Sequence, residues 1–312
     1  MSTVSSTADL DTASSRRATF VMAFAAIYLI WGSTYLAIRV GVRTLPPFLM
    51  SSLRFLAAGG ALFAILRARG VAKPTRTQWK GAAIAGLLML TAGNGLVTWA
   101  EKRLPSNLTA LLVAGVPLYT ALLDWLRPGG VAPARRVLAG IGVGAVGMAL
   151  LVASGGDARA PAPSVAAILA IVVSGLCWAA GSLYARYGEM HPDPVMAAAQ
   201  EMLVGGTTMF VVSALRGEPQ HLVLARVSTE SLLALAYLAL FGSLVAFSAF
   251  GWLVKATSPA NLATTAFVNP VVAVVLGGLI LGESLGPRAL AGAALILGAV
   301  VVMLARRRVR YR

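Results

Sequence analysis

Residues 23–59 of the chain recur, without an insertion, at residues 170–206. At a constant offset of 147 positions, Trp31 aligns with Trp178 and Gly59 aligns with Gly206. A repeat of this length indicates two structurally similar halves. The number of helices or strands in each half then decides how the halves are oriented relative to each other.

The composition places both halves in a membrane. Hydrophobic residues make up 58% of the chain and charged residues 12%, whereas soluble domains carry about 25% charged residues. The chain therefore has too little polar surface to face water. Stretches of roughly 20 apolar residues, which a bilayer core of about 30 Å requires, occur ten times. They lie at 18–38, 47–66, 80–100, 106–126, 134–153, 165–186, 195–215, 231–254, 259–281 and 287–305.

Ten spans in two halves give five spans to each half. Because five is odd, the second half enters the membrane from the opposite face, and the halves are inverted repeats. We therefore predict an all-α membrane protein with ten transmembrane helices. Its predicted parts are a disordered cytoplasmic N-terminus (1–17), a first repeat (18–153), an external linker rich in Gly, Ala and Pro (154–164), a second repeat (165–305) and a basic cytoplasmic tail (306–312).

The distribution of positive charge predicts the orientation. With a cytoplasmic N-terminus, ten spans return the C-terminus to the cytoplasm, and seventeen of the 26 Lys and Arg residues then lie in cytoplasmic segments. This asymmetry follows the positive-inside rule, and it accounts for the net charge of +15 without nucleic-acid binding. The tail 306–312 is predicted to anchor the topology and to contact anionic lipid. The excess of Arg over Lys favours a bacterial plasma (inner) membrane.

The sequence contains no signal for an enzyme active site. Cys177 is the single cysteine and two histidines are present, which excludes a disulfide within the chain and a Cys/His metal cluster. Walker-type, zincin-type and GxSxG motifs are absent. We predict no catalytic residues, no metal and no cofactor, and we expect a small-molecule substrate and membrane lipids as partners.

Two segments resemble a known family. Residues 259–284, PANLATTAFVNPVVAVVLGGLILGES, and residues 27–43, IYLIWGSTYLAIRVGVR, are similar to EamA-type proteins of the drug/metabolite transporter superfamily. The likeness covers about 20–305. It implies a ten-helix inner-membrane carrier, often an exporter of amino acids or related metabolites, with a cavity lined mainly by the first four helices of each half. The first half departs from the pattern, because residues 127–130, RPGG, stand where the second half has Glu283.

Two charged residues lie well inside predicted spans. Arg54 and Glu201 occupy the same repeat position with opposite charge. Ionisable groups at this depth are costly to insert, so they are candidates for a transport pathway. In the functional interpretation Arg54 binds a carboxylate, and Glu201 binds an amine or carries a coupling proton. The alternative is a static ion pair that orders the helix bundle.

The first and sixth spans carry a repeated pattern near their centres. Trp31 and Tyr35 lie one turn apart on one face, and Trp178 and Ser182 repeat their positions. Aromatic walls suit a cavity for small organic molecules, although a Trp packed between helices is an equally ordinary interpretation. Arg39 and Arg186, one turn further along, are predicted to reach the membrane surface.

Polar residues also mark the third and eighth spans. Asn94 lies deepest on a polar face of the third span that also carries Thr98, and a polar face in lipid must turn towards protein or water. Asn94 is therefore a candidate ligand. Glu101 and Lys255 lie at the ends of these spans and are candidate gates, with ordinary interfacial charge as the simpler interpretation.

Prolines and glycines complete the pattern. Pro117 and Pro270 are predicted to kink the fourth and ninth helices and to free backbone carbonyls, with Asn269 beside the second kink as a candidate ligand. Small residues in the fifth and tenth spans favour close helix packing. We expect these two helices to serve as scaffold or as contacts of a homodimer. The glycines concerned are Gly140, Gly144, Gly147, Gly292 and Gly298.

The sequence as a whole predicts a secondary transporter that moves a small polar metabolite by rocking two inverted halves. Export of an amino acid rests on the family resemblance. An intramembrane enzyme would need paired titratable groups at one depth, and the deep acid found here, Glu201, faces Arg54 as its companion. The remaining alternative is a structural or lipid-scrambling scaffold without a saturable soluble substrate.

Overall fold

The structure is a computed structural model that describes residues 7–130, 132–154, 164–257, 265–283 and 286–304. These residues form ten long helices and no strand. The helices are α1 (Thr7–Gly41), α2 (Pro47–Ala68), α3 (Arg76–Gly86, Leu87–Asn94 and Gly95–Glu101), α4 (Ser106–Val113 and Val116–Leu126), α5 (Arg135–Ser154), α6 (Val165–Tyr187), α7 (Pro194–Leu215), α8 (Thr229–Tyr237, Leu238–Val245 and Ala246–Ala256), α9 (Thr265–Leu281) and α10 (Pro287–Leu304). The predicted all-α fold is confirmed.

Seven of the described helices are long and apolar enough to cross a membrane: α1 to α4 and α6 to α8. Two shorter apolar helices, Val268–Leu281 and Leu290–Ala299, belong to α9 and α10, and α5 stands at the fifth predicted span. The count of ten spans therefore stays a prediction. The predicted tail 306–312 lies outside the described residues.

Helix α1 extends beyond the predicted span. It begins at Thr7, so residues 7–17 continue the helix of the first predicted span in this structure. The segment contains Ala, Leu and Arg, which favour helix, and lengthening an existing helix needs no new nucleation.

Helices α2 and α7 pack against each other across the two halves. Their contact is reciprocal. A methyl group built on Gly59 would lie 3.1 Å from the backbone nitrogen of Leu203, and one on Gly206 would lie 3.0 Å from that of Leu56. Because Gly59 aligns with Gly206 and Leu56 with Leu203, the two contacts are one contact repeated, as a two-fold axis between the halves requires.

The middle of α3 and of α8 is π-helical. The segments Leu87–Asn94 and Leu238–Val245 are each eight residues long and start 151 positions apart, so they occupy equivalent places in the two halves. A π-helical turn is wider than an α-helical one and is frequent at functional sites.

Helices α5 and α10 pack against each other. A methyl group on Gly147 would lie 2.8 Å from the carbonyl oxygen of Gly292, and Gly144 contacts Leu118 of α4. These small residues therefore serve packing within the chain. Gly142 and Gly298 have open space around them, and a homodimer through α5 and α10 stays a prediction.

The bundle has two distinct ends. We call the end at which α2 and α4 begin the Pro47 end, and the end at which α3 and α7 begin the Arg76 end. A buried hydrophobic cluster that includes Ile38, Met50 and Leu108 packs around the Pro47 end. In this conformation that end is closed.

Candidate functional site

Aromatic rings from three helices meet at the interface of the two halves. The rings of Trp31 and Trp178 lie edge to face, with centroids 6.4 Å apart and planes at 90°. Phe247 and Phe250 of α8 contact Trp31 at 6.0 and 4.9 Å. Edge-to-face packing at these distances stabilises aromatic pairs. The repeat-related tryptophans thus lie together, with both rings half-buried.

Each half donates a hydrogen bond to a glycine carbonyl in the π-helical segment of the other half. The indole nitrogen of Trp31 donates to the carbonyl oxygen of Gly242 at 3.2 Å. The hydroxyl of Ser174 in α6 donates to the carbonyl oxygen of Gly93 at 2.8 Å. Both acceptors are carbonyls that a π-helical turn presents sideways. The two π-helical segments therefore both contact the other half. We call the contact around Trp31 and Gly242 the aromatic joint.

Arg54 converges on the same joint as Trp31. Its side chain is 4% exposed, and its Nε donates to the hydroxyl of Ser243 at 2.6 Å. The guanidinium carbon lies 4.7 Å from the ring centroid of Phe55, and a methyl group on Gly242 would lie 3.2 Å from the terminal guanidinium nitrogen. A buried guanidinium whose remaining donors face a joint between the halves is suited to bind a carboxylate.

Glu201 lies where α7 packs against α3. It is 6% exposed, and its backbone carbonyl contacts Gly86 of α3, whereas Arg54 faces α8. Within the described residues no ion pair joins them; the ion pair found there is Arg127–Asp124, at 2.6 Å. The static ion pair of the alternative interpretation is not formed in this conformation.

The polar residues near the repeated pattern make contacts of different kinds. The Ser33 hydroxyl is 2.6 Å from the Tyr237 hydroxyl, whereas Ser182 donates to the carbonyl of Trp178 in its own helix. Tyr35 packs half-buried against the hydrophobic cluster of the Pro47 end. Asn94 is the last residue of the first π-helical segment.

Two buried side chains have polar atoms without partners, and one of them lies beside a predicted kink. Helix α4 is interrupted at Ala114–Gly115, just before Pro117, and Pro270 lies inside α9. Among the described groups the side-chain oxygen of Asn269 is buried without a hydrogen-bond partner, as are both amide atoms of Gln200. Unpaired buried polar atoms are costly, so both side chains are candidates for contact with substrate or water.

Glu101, at the end of the third span, is buried inside the protein, and its role as a gate stays a prediction. Its side chain is 0% exposed, and neither carboxylate oxygen has a hydrogen-bond partner among the described groups. Arg39 of α1 donates to the backbone carbonyl of Glu101, and its reach to the membrane surface stays a prediction. Glu101 is thus a second buried acid besides Glu201, and it lies at the Pro47 end. The side chain of Lys255 lies outside what the structure describes.

Two carboxylates of the second half cap helices of the first half at the Pro47 end. Glu283 accepts hydrogen bonds from the backbone nitrogens of Ser106 and Asn107, at 2.9 and 3.0 Å. Glu218 accepts from the backbone nitrogen of Leu49 at 2.9 Å. Carboxylates at helix N-termini satisfy free N–H groups and the helix dipole. The family resemblance already drew attention to Glu283, but the sequence alone does not show that its partner is the N-terminus of α4.

At the Arg76 end the halves are joined by a smaller polar contact. Arg127, just after α4, pairs with Asp124, and its guanidinium lies 4.2 Å from the ring centroid of Tyr187 in α6. The hydrogen bond that Arg127 donates to the Asp124 carboxylate raises the pKa of the guanidinium. Both charged groups are partly exposed, so this contact is weak compared with the caps.

Sequence reasoning missed most of what α8 contributes. Tyr237, Gly242, Ser243, Phe247 and Phe250 all lie at the interface. The available signal was the density of aromatic residues in the eighth span. No sequence pattern of similar strength predicts the π-helical turn that places Gly242 and Ser243 at the interface.

Comparison with known proteins agrees with this arrangement. The profile of the EamA-like transporter family matches residues 18–153 and 165–305. The "Uncharacterized inner membrane transporter YedA" of Escherichia coli (strain K12) is 40% identical over 279 residues, which are 89% of this chain and 88% of that protein. The "Probable terminal-alkyne amino-acid exporter" of Streptantibioticus cattleyicolor is 29% identical, with 92% and 93% covered.

Two more distant matches extend this. The "Probable amino-acid metabolite efflux pump" of Salmonella typhimurium is 26% identical, with 91% and 94% of the two chains covered. A solved crystal structure shares the fold, with a TM-score of 0.63 at 24% identity over 92% of this chain and 97% of that chain. The chain belongs to the EamA-like transporter family, and each of its halves carries one copy of the family's repeat.

Proposed function

We propose that this transporter exports an amino acid or a related metabolite from a bacterial cell by alternating access of its two halves, without ATP hydrolysis. The observation that carries the proposal is the joint where Trp31, Trp178 and Arg54 converge on the π-helical segment of α8. It offers flat apolar surface beside a buried guanidinium. This chemistry suits a small molecule with an apolar side chain and a carboxylate.

The names of two relatives support the substrate class. Relatives 29% and 26% identical over most of their length are named as an amino-acid exporter and an amino-acid metabolite efflux pump. The positive-inside distribution supports a cytoplasmic N-terminus. The Pro47 end then faces outward and the Arg76 end faces the cytoplasm.

Within this proposal Arg54 binds the substrate carboxylate. Glu201 is a pathway carboxylate on the cytoplasmic side, for the substrate amine or a proton. Asn94, Tyr35 and Asn269 contribute further contacts as the halves rock.

The experiment is uptake of labelled amino acids and small amines by proteoliposomes that contain the purified protein. Trp31→Phe and Trp178→Phe are compared with Trp125→Phe, whose ring is 38% exposed. We expect saturable uptake of at least one compound, with KM raised severalfold by the first two variants and unchanged by the third. Saturable uptake that neither central variant alters would place the substrate elsewhere. A folded protein that moves no member of the panel would exclude the amino-acid class.

A further inference from the structure

The Pro47 end contains a carboxyl group that nothing in its surroundings neutralises by contact. Glu101 ends α3 with its side chain 0% exposed. Neither Oε1 nor Oε2 has a hydrogen-bond partner among the described groups. An ionised carboxylate without partners in such a place is strongly disfavoured, whereas a neutral carboxyl group is tolerated.

The charged and titratable groups that face Glu101 come from two other elements of the chain. Helix α1 contributes Tyr35 and Arg39, and the connection between α9 and α10 contributes Glu283. Arg39 donates to the backbone carbonyl of Glu101, not to its carboxylate. Glu283 is occupied by the N-terminus of α4. One cation, Arg39, and one further anion, Glu283, therefore lie near Glu101, and neither compensates the charge of its carboxylate by direct contact.

The neighbouring charges on α3 itself turn away from Glu101. The guanidinium carbon of Arg103 lies 4.1 Å from the ring centroid of Trp99, and Lys102 is exposed. Towards the centre of the bundle the same helix carries Thr98 and then Asn94, which are linked by a hydrogen bond from the Thr98 hydroxyl to the Asn94 carbonyl at 3.0 Å. This polar line leads from Glu101 towards the aromatic joint.

We propose that Glu101 is a proton-binding site that couples transport to the proton gradient. When the Pro47 end is open, a proton from external water forms the O–H bond of the neutral carboxyl group. When that end closes, as in this structure, the proton is occluded. The O–H bond later breaks, the proton passes to water along the Thr98–Asn94 line, and the carboxylate re-forms beside Arg39.

A proton fits this site better than a substrate amine. Both carboxylate oxygens are inaccessible in the closed conformation, so a primary ammonium group has no room beside them. The proposal rests on the proposed function insofar as the proton drives export. Proton binding itself is a property of the protein alone, and it is measurable without any substrate.

The first test is infrared difference spectroscopy of the reconstituted protein against Glu101→Gln. At neutral pH we expect the wild type to show the carbonyl stretch of a protonated carboxyl group that the variant lacks. Glu230→Gln is the matched control, because Glu230 is exposed, and it leaves that band unchanged. If Glu101→Gln, still folded, retains every protonated-carboxyl band of the wild type, the proposal is overturned.

The second test separates exchange from gradient-driven accumulation in proteoliposomes. Exchange of one proton for each substrate molecule permits up to about tenfold accumulation for each unit of imposed pH difference. We expect Glu101→Gln to retain substrate exchange and to lose this accumulation. Accumulation like that of the wild type would contradict the proposal. Loss of exchange as well, with the infrared band unaltered, would assign Glu101 to the substrate amine instead.

These outcomes separate the two proposals. If the wild type exchanges no substrate of the panel, the proposed function fails, and the infrared band still decides the protonation of Glu101. If Glu101→Gln does not fold, Glu101→Asp retains the carboxyl group and is expected to show the band at a shifted position. If the spectrum of Glu101→Asp shows no protonated-carboxyl band at such a shifted position, the proposal is overturned.

Discussion

Glu283 accepts a hydrogen bond from the hydroxyl of Ser106 at 2.7 Å, so a carboxylate from the second half holds the first residue of a helix in the first half. The same carboxylate also accepts from two backbone N–H groups of that helix. Opening the Pro47 end requires the halves to separate there. Under the proposed alternating access we expect the cap to act as a latch on the closed conformation, with Glu218 as a second latch at the start of α2.

Replacing Glu283 by Gln is expected to weaken this latch. The amide keeps the size of the side chain but loses the charge that favours a helix N-terminus. We expect the closed conformation to lose about 1 kcal/mol, within the range measured for helix caps. The melting temperature should fall by a few degrees, and reagents added from the Pro47 side should label a cysteine placed at Leu108 faster. Glu230→Gln, at an exposed site, is the control. Equal labelling in both variants would count against the latch.

Adjacent glycines provide a matched test of the crossing between α2 and α7. A methyl group on Gly59 would lie 2.8 Å from the Cβ of Met202 and 3.1 Å from the Ala199 carbonyl oxygen, whereas Gly60 has nothing within 4 Å. Gly59→Ala is therefore expected to destabilise the protein by about 1–3 kcal/mol. Gly60→Ala should be neutral or stabilising by up to about 1 kcal/mol, because Ala favours helix.

Unfolding in detergent, followed by tryptophan fluorescence, compares these two variants. The reciprocal contact adds a further expectation, because Gly206→Ala should destabilise by an amount similar to Gly59→Ala. Equal stability of the Gly59 and Gly60 variants would show that the crossing in the membrane is looser than in this structure.

Arg54 is expected to discriminate substrates by their carboxylate. Lys cannot reproduce the planar fork of donors or the Nε hydrogen bond to Ser243. For Arg54→Lys we expect KM for amino acids to rise about tenfold, which corresponds to the loss of about 1.4 kcal/mol of binding. Amines without a carboxylate should be unaffected. Arg69→Lys, an exposed change at the end of α2, is the control in the same uptake assay. An equal effect on both substrate types would assign Arg54 to structure alone.

Particular residues show how far the sequence predicts this molecule. The repeat in the sequence shows that Trp31 and Trp178 occupy equivalent positions. Equivalent positions in inverted halves need not be in contact. These two rings are in contact because the pseudo-two-fold axis passes between α1 and α6 near their centres. Depth along a helix was also predictable for Arg54 and Glu201. The direction in which each residue points around its helix was not predictable. The side chain of Arg54 faces α8, whereas Glu201 packs against α3.

Glu101 shows the same limit at a helix end. Position at the end of a span suggests an interface with water, but burial depends on what covers that end. Here Arg39 of α1 donates to the backbone carbonyl of Glu101, and Glu283 lies close enough to interact with its carboxyl group. The sequences of these segments are far apart along the chain, so a single sequence gives no signal that they meet.

Glu201 is the remaining test of how substrate or proton moves on the cytoplasmic side. Glu201→Gln removes the charge of a buried carboxyl group, which is 6% exposed and lies outside any ion pair among the described residues, with little change in shape. If Glu201 serves transport, we expect maximal uptake to fall at least tenfold or its dependence on pH to flatten, while the melting temperature stays within a few degrees of the wild type.

Gln200→Glu is an informative companion, because both amide atoms of Gln200 are buried without partners and a charge there should destabilise the fold. Unchanged rate and unchanged pH profile in Glu201→Gln would leave Glu201 a structural residue and Glu101 the sole carboxyl candidate for coupling.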